Sequence, residues 1–238
     1  MAEIEGWLLI LREGDDAAKT AAARGLGKFA WDNAANRVAI AEAGGIPPLV
    51  ELLRDGSAGA KAMAARALCN LAYVNAANQA AIAEAGGIAR LVDLVRSGSP
   101  VATLAAVGAL GNLAAGNAAN QVAIAEAGAI PVLVELLRDG SAEASRRATG
   151  ALRTTAHNND ANAVAIALAV GRLEALVELA RGVRVTVDNQ SVVRNAGIAA
   201  KRKAALVVAA LLRACVPDEL RSRVDVQDVI RGVIGAYL

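Results

Sequence analysis

Residues 33–44 read N-A-A-N-R-V-A-I-A-E-A-G, and this stretch recurs almost unchanged along the chain. Further copies start at Asn75 and Asn117, each 42 residues after the one before, and a decayed copy starts at Asn159. A fixed period of this length is typical of helical repeat proteins, whose units bury their apolar faces only by stacking on one another. The stretch therefore predicts an array of stacked helical units.

Glycine and proline divide each unit into three predicted helices. In the first full unit a short helix covers about residues 36–43, with Asn33 or Asn36 as its cap and two glycines at its end. A second helix covers about 47–54, with proline in its first turn, and a longer third helix covers about 59–74. The composition agrees, because 55% of the residues are hydrophobic but only 2% are aromatic, and abundant alanine favours closely packed helices over sheets.

Two further motifs recur with the same period: the run N-x-x-x-I-x-x-x-G-x-I-P-x-L-V-x-L-L-R-x-G, and the segment A-L-x-N-L-A at 67–72 and 109–114. Together they resemble the armadillo repeat family over most of residues 4–180. HEAT arrays, the nearest alternative, have two helices per unit and lack the short first helix that glycine ends. The resemblance implies an all-α fold, a right-handed α-solenoid (superhelix) of armadillo repeats. It also implies a non-enzymatic protein-interaction scaffold or adaptor.

The repeat pattern divides the chain, taken as one armadillo domain over residues 1–238, into regular units and irregular ends. The predicted parts are a half repeat or cap at 1–32, regular repeats at 33–74, 75–116 and 117–158, a repeat with an insertion at 159–215, and a carboxy-terminal cap at 216–238. The insertion, near residues 183–198, alternates valine with polar residues, which predicts either a surface loop or an element that folds over the binding groove. The amino-terminal end lacks a first helix, so homodimerisation through that end stays an open alternative.

The candidate binding surface is the exposed side of the third helices, which line the concave groove of such an array. In the second unit Ala67 and Leu71 belong to the predicted core stripe. Arg66, Asn70 and Tyr73 project from the opposite side of the same helix. Steps of 42 residues extend these positions along the array. The predicted peptide-binding residues are Arg24, Lys28, Trp31, Arg66, Asn70, Tyr73, Asn112, Thr154, His157 and Arg213.

The family resemblance implies a role for Asn70 and Asn112. In members that bind extended peptides, the asparagine at this position holds the peptide backbone, because an amide offers both a donor and an acceptor. Members that act in nuclear import also place tryptophan four residues earlier, where this chain has Arg66 and Gly108. This difference argues against binding of classical lysine-rich import signals.

Positive charge concentrates on the third helices, although the net charge of the chain is only +2. The basic residues of these helices are Lys19, Arg24, Lys28, Lys61, Arg66, Arg146, Arg147, Arg153, Lys201, Arg202, Lys203 and Arg213. Acidic residues concentrate in the other helices. The pattern predicts protein partners with acidic or phosphorylated segments, attracted by charge-assisted hydrogen bonds. The alternative is that several of these cations only keep the helices soluble.

The sequence predicts no catalytic site, no metal site and no cofactor. His157 is the one histidine and has no cysteine near it in the repeat register, and Cys69 and Cys215 are predicted to be buried thiols. No apolar stretch reaches the length of a membrane span and no signal peptide is visible. We therefore expect a cytoplasmic protein, with the nucleus as the alternative location.

Two other functions stay open at this point. Basic third helices are able to bind nucleic-acid phosphates, although the small net charge and the scarcity of aromatic side chains for base stacking argue against that function. Alternatively, the array is a regulatory or targeting segment of a larger enzyme such as a ubiquitin ligase, an interpretation prompted by the half repeat at the amino-terminal end.

Overall fold

The computed structural model describes residues 2–171, and every regular element in that range is an α-helix. The helices are α1 (Ala2–Glu13), α2 (Asp16–Ala30), α3 (Ala34–Glu42), α4 (Ile46–Asp55), α5 (Ala58–Ala72), α6 (Ala76–Glu84), α7 (Gly87–Ser97), α8 (Pro100–Ala114), α9 (Ala118–Glu126), α10 (Ala129–Asp139), α11 (Ala142–Thr155) and α12 (Asp160–Gly171). The chain divides into two compact units, Met1–Asn162 and Ala163–Leu238. The predicted insertion near 183–198, the predicted carboxy-terminal cap, Arg213, Cys215 and the basic residues 201–203 lie outside the described residues.

The helix order confirms the predicted all-α repeat fold. Within Met1–Asn162, α3, α6 and α9 are the short first helices, α4, α7 and α10 are the second, and α5, α8 and α11 are the third. Helices α1 and α2 supply the second and third helices of the leading half repeat. Across residues 2–171 no single helix is long and apolar enough to cross a membrane; one pair, Ala118–Glu126 with Ala129–Leu137, passes by length and composition but is bent by 81°.

The N-A-A-N motif starts each first helix with its first asparagine. Asn33 Oδ1 accepts a hydrogen bond from the backbone N–H of Asn36 at 3.0 Å, and Asn75 and Asn117 accept the equivalent bonds. The sequence left Asn33 and Asn36 as alternative caps, and the structure selects Asn33. Helix α3 accordingly begins at Ala34, earlier than the predicted start.

The two glycines that end a first helix do different things. Gly44 and Gly86 both have φ of +78°, the left-handed conformation that terminates a helix without steric cost. The following Gly45 provides space instead, because a Cβ there would lie 2.7 Å from Ile40 Cγ2. The chain thereby turns from the first helix directly into the second.

The third helices stack side by side and form the core with the second helices. Helix α5 packs between α2 and α8, α8 packs between α5 and α11, and α4, α7 and α10 pack against the third helices that follow them. The predicted core stripe is confirmed; its fully buried residues are Ala64, Ala67, Leu68 and Leu71. Small residues bring adjacent third helices close together, since a Cβ at Gly27 would lie only 3.3 Å from Ala67 Cα.

A residue with positive φ follows each third helix. The equivalent positions are Asp32, Val74, Gly116 and Asn158, with φ of 53°, 47°, 69° and 56°. This turn ends α5 at Ala72, two residues before the predicted end. Aspartate, asparagine and glycine tolerate the left-handed region, whereas a β-branched residue is strained there.

The substitution Val74→Asn is expected to raise the free energy of unfolding by about 1 kcal/mol, because asparagine removes the β-branched strain. The side chain of Val74 is 80% exposed, so little packing is lost. Urea unfolding followed by circular dichroism measures the change. Val101→Asn is the matched control, since Val101 is 62% exposed within α8 and has ordinary helical geometry. An equal gain in both variants would contradict strain as the cause.

Candidate functional site

The exposed side of α2, α5, α8 and α11 within Met1–Asn162 is called the third-helix face below. Nine of the ten predicted binding residues lie within the described residues, and Arg213 lies outside them. Six of the nine are exposed: Arg24, Lys28, Trp31, Arg66, Tyr73 and His157. Asn112 and Thr154 are half-buried, and Asn70 is buried. The repeat register therefore brings the predicted residues onto neighbouring helices, but it exposes them unequally.

The asparagines predicted to hold a peptide also connect adjacent third helices. Asn70 Nδ2 donates to the backbone oxygen of Gly27 at 2.8 Å, and Asn112 Nδ2 donates to that of Cys69 at 2.8 Å. One N–H of each amide is therefore already engaged. Each Oδ1 accepts no hydrogen bond from residues 2–171, so both amides keep an acceptor for a ligand. Asn70 also keeps one N–H, whereas Asn112 Nδ2 additionally lies 3.4 Å from Cys69 Sγ.

Thr154 does not continue this pattern, although it stands in the same register. Its hydroxyl donates to the backbone oxygens of Gly150 and Ala151, which belong to its own helix. The asparagine ladder thus ends at α8, where Asn112 forms the last such bond between third helices in the described part of the chain. This matches the two asparagines that the sequence placed in the register.

The two predicted aromatic residues stand exposed at the carboxy-terminal ends of α2 and α5. Trp31 is 69% exposed and Tyr73 is 55% exposed. The Tyr73 ring is in contact with a residue that the sequence analysis missed, because Arg37 Cζ lies 5.6 Å from the ring centroid. A guanidinium over a tyrosine ring is a cation–π contact, which here joins the first helix α3 to the edge of the third-helix face.

Arg37 is 7% exposed, and its Nε is buried without a hydrogen-bond partner. Its Nη1 donates to the backbone oxygen of Ala30 at 3.2 Å. In later repeats the equivalent residues are Gln79 and Gln121, each of which donates to three backbone oxygens. The sequence did mark Arg37 as unusual, because the residue that follows N-A-A-N is arginine in the first copy and glutamine in the next two.

Ion pairing reduces the predicted positive charge on α11. The side chains of both Arg146 and Arg147 hydrogen-bond to Glu143, and Arg147 Nε lies 2.6 Å from Glu143 Oε1. These hydrogen bonds, with that of Arg146 first, hold the pKa of Glu143 below its usual value. Four exposed third-helix cations make no ion pair within residues 2–171. They are Arg24, Lys28, Arg66 and Arg153.

Cys69 on α5 lies within electrostatic range of Arg66 on the same helix and of Arg147 on α11. Burial raises the pKa of its thiol to about 11, and the opposing attraction of Arg147 and Arg66 is weaker. The thiol therefore stays protonated at neutral pH, which makes it a poor nucleophile. Cys69 was predicted to be buried, and as a whole residue it is half-buried. Arg147 also extends over α8, because a Cβ at Gly108 would lie 3.3 Å from its Nη1. Arg66 from α5 and Arg147 from α11 thus both act electrostatically on the Cys69 thiol.

His157 is exposed, and its Nε2 lies 3.3 Å from Asn158 Nδ2. Its backbone oxygen accepts from Gln121 Nε2 at 3.0 Å, so its main chain takes part in repeat packing. No three His, Cys, Asp or Glu side chains in the described range are grouped so as to hold a metal ion.

Comparison with known proteins places these observations in a family. The family model of the Armadillo/beta-catenin-like repeat matches residues 33–73, 75–115 and 117–156. No curated protein sequence matches the chain.

Several solved structures share the fold. A crystal structure of an engineered protein is 29% identical, covers 99% of this chain and 98% of its own, and has a TM-score of 0.71. A second crystal structure is of computationally designed armadillo repeat proteins for modular peptide recognition. It is 28% identical, covers 98% of this chain and 99% of its own, and has a TM-score of 0.72. A designed armadillo repeat protein in complex with the peptide (KR)4 is 24% identical, with 98% coverage of both chains and a TM-score of 0.64.

Proposed function

This chain belongs to the armadillo repeat family, and we propose that its third-helix face binds an extended acidic or phosphorylated segment of a partner protein. Armadillo repeats and designed peptide-binding neighbours support a protein- or peptide-binding scaffold, and the fold is typically non-enzymatic. The proposal adds to this scaffold function the negative charge of the bound segment and its position on the third-helix face.

The observation that carries the charge preference is the set of unpaired cations on this face. Arg24 and Arg66 occupy the same register on adjacent helices, and Lys28 lies one turn beyond Arg24. Guanidinium groups bind carboxylates and phosphates through two parallel hydrogen bonds, which gives geometric specificity as well as attraction. An acidic segment laid across α2 and α5 would meet these three cations in succession.

A ligand of opposite charge is known for a protein of this fold, because the designed protein at 24% identity is in complex with the peptide (KR)4. Here the exposed cations on the third-helix face would repel a basic peptide of that kind. We therefore propose the opposite charge preference for this chain, with the partner segment bound in an extended conformation.

The amide oxygens of Asn70 and Asn112 complete the proposed site. An extended peptide presents backbone N–H groups at regular intervals, and a free amide oxygen accepts one of them whatever the peptide sequence. Trp31 and Tyr73 supply exposed aromatic surface at one edge of the face. We propose that the cations select acidic side chains and the amides hold the backbone.

A displayed peptide library selected on the full chain is expected to enrich aspartate- and glutamate-rich sequences. For a selected peptide, Arg66→Glu should weaken binding about tenfold, a loss of ~1.4 kcal/mol, because an attractive charge becomes repulsive. Fluorescence anisotropy at several salt concentrations measures the affinity, which should fall as salt rises.

Arg12→Glu is the matched control, since Arg12 is exposed on α1, away from the third-helix face. This variant makes the same change in net charge and should leave the affinity nearly unchanged. Enrichment of basic peptides, or equal losses in both variants, would contradict the proposal. Single- and double-stranded nucleic-acid probes in the same assay test the alternative function, and tighter binding to them than to acidic peptides would favour it.

A further inference from the structure

A cavity of about 330 Å³ lies between consecutive repeats at the amino-terminal ends of α5 and α8. Tyr73 follows the opposite end of α5, so this cavity lies apart from the aromatic edge of the third-helix face. Its charged lining residues are Arg54, Lys61, Arg90 and Asp93, and Ser99 lines it beside the start of α8. The volume suits a side chain with part of its backbone.

The opposing charges around this cavity are largely paired with each other. Arg54 Nη2 lies 2.7 Å from Asp55 Oδ2, and Arg96 Nη1 lies 3.6 Å from Asp93 Oδ1. Lys61 and Arg90 make no ion pair within residues 2–171, although both act on the nearby Asp55 at longer range. The cavity therefore holds two cations whose charge is not directly matched.

One repeat earlier, the equivalent place is filled by a carboxylate of the chain itself. Asp16 Oδ1 accepts a hydrogen bond from the backbone N–H of Ser57 at 3.1 Å. The hydrogen bonds with Ser57, and more weakly the charge of Lys19, hold the pKa of Asp16 below its usual value. A serine amide and a lysine at this junction thus form a carboxylate site.

In the cavity the same site lacks its carboxylate. Stepping 42 residues along the chain replaces Asp16 by Ala58, keeps the lysine as Lys61 and keeps the serine as Ser99. The backbone N–H of Ser99 has no acceptor within the described residues. Arg90 adds a second cation where the preceding repeat has Pro48.

The next boundary between repeats, at Ser141, shows that the combination of two cations with a serine amide and no carboxylate is specific to the boundary at Ser99. There the equivalents of Lys61 and Arg90 are Thr103 and Val132, and Pro100 stands where Ala58 does. All three boundaries between repeats in the described part of the chain therefore have a serine backbone amide. Only the boundary at Ser99 combines that amide with two unpaired cations and no carboxylate of its own. The array therefore contains one counterpart filled by its own carboxylate and one that lacks both of these cations.

We propose that this cavity binds an aspartate or glutamate side chain of a partner protein, whose carboxylate takes the place that Asp16 occupies one repeat earlier. The backbone N–H of Ser99 donates to one carboxylate oxygen, and Lys61 and Arg90 pair with the charge. The site does not depend on the third-helix face. It adds a second contact to a bound partner at the other end of α5.

The test is a nuclear magnetic resonance titration of the full, ¹⁵N-labelled chain with N-acetylaspartate amide, and with N-acetylasparagine amide as the neutral twin. The Ser99 amide should shift in a saturable way with the aspartate derivative only, while the Ser57 and Ser141 amides stay unmoved. Lys61→Gln should weaken binding about fivefold, the scale of one solvent-exposed ion pair.

Two further variants use the internal counterparts. Ala58→Asp should supply the missing carboxylate within the chain and abolish the response of Ser99, and an acidic residue in a first helical turn is compatible with folding. Asp16→Ala should empty the first junction, so that the Ser57 amide begins to respond. Arg66→Glu should leave the titration unchanged, which separates this site from the third-helix face.

A Ser99 amide that does not shift, or that shifts equally with the neutral twin, overturns the proposal. An equal response of Ser141 also overturns it, because that junction lacks both cations. Titration with inorganic phosphate is a separate arm, and saturation at lower concentration than with the aspartate derivative would assign the cavity to phosphoryl groups instead. Retained binding in Ala58→Asp would show that the ligand does not occupy the place of the Asp16 carboxylate.

Discussion

Asn120→Ala is expected to lower the free energy of unfolding by about 3 kcal/mol, because two buried backbone oxygens lose a donor. Asn120 is 4% exposed, and its Nδ2 donates to the backbone oxygen of Leu113 at 3.1 Å and to that of Gln79 at 3.2 Å. Leu113 lies in the last turn of α8, where backbone oxygens have no partner within the helix. Denaturant unfolding followed by circular dichroism measures the loss.

The same arrangement recurs along the array. Asn78 donates to the backbone oxygens of Leu71 and Arg37, and Asn162 donates to those of Thr155 and Gln121. The second asparagine of N-A-A-N therefore satisfies the carboxy-terminal end of one third helix and ties two consecutive first helices together. Its loss removes two hydrogen bonds to the preceding repeat.

Asn117→Ala is the matched control three residues earlier. It loses the cap of α9, which is worth about 1 kcal/mol, and one hydrogen bond from its Nδ2 to Gln79 Oε1 at 3.3 Å. Asn120→Asp should destabilise more than Asn120→Ala, because it places a carboxylate against two backbone oxygens. Equal effects of Asn117→Ala and Asn120→Ala would show that the two cross-helix bonds contribute little.

Arg37→Gln is expected to raise the free energy of unfolding by about 2 kcal/mol, from roughly two added hydrogen bonds. In the next repeat, Gln79 Nε2 reaches the backbone oxygens of Ala72, Asn112 and Ala115 at 3.2, 2.9 and 3.4 Å. Arg37 donates only to the backbone oxygen of Ala30, which is equivalent to that of Ala72. The substitution also removes a buried charge that has no acidic partner within residues 2–171.

The reciprocal substitution Gln79→Arg is the control and should destabilise by at least a similar amount. It introduces a guanidinium where three backbone oxygens are now satisfied by one amide. Thermal and denaturant unfolding of both variants give the two changes. A loss of stability in Arg37→Gln would mean that the contact of Arg37 with the Tyr73 ring is worth more than the bonds that glutamine adds.

Local signals predicted the helices well because they act over a few residues. An asparagine cap, a left-handed glycine and a proline in a first turn each set a helix end within one turn of the chain. The main error at a helix end, the predicted extension of the third helix to Val74, arose where valine adopts a positive φ that its residue type disfavours. The adjacent copies have glycine and aspartate at that position, which was the available signal.

The candidate face was predicted in outline and corrected in detail. Register alone placed Arg66, Asn70 and Tyr73 on one side of α5. It could not show that Asn70 Nδ2 bonds to the backbone oxygen of Gly27, since that bond joins residues 43 positions apart. The pairing of Glu143 with Arg146 and Arg147 was missed, although the spacing of three and four residues on one helix was an available signal.

The 42-residue period, the order of three helices and the buried stripe follow from the sequence, because helix caps and apolar spacing are properties of neighbouring residues. Tertiary structure decided which polar side chains bond across helices. Whether an asparagine caps its own helix, as Asn117 does, or completes the end of another, as Asn120 does, depends on which backbone oxygens the stacking leaves without partners. The same stacking decides that Asp16 fills a site between repeats and that Ala58 leaves the next one open.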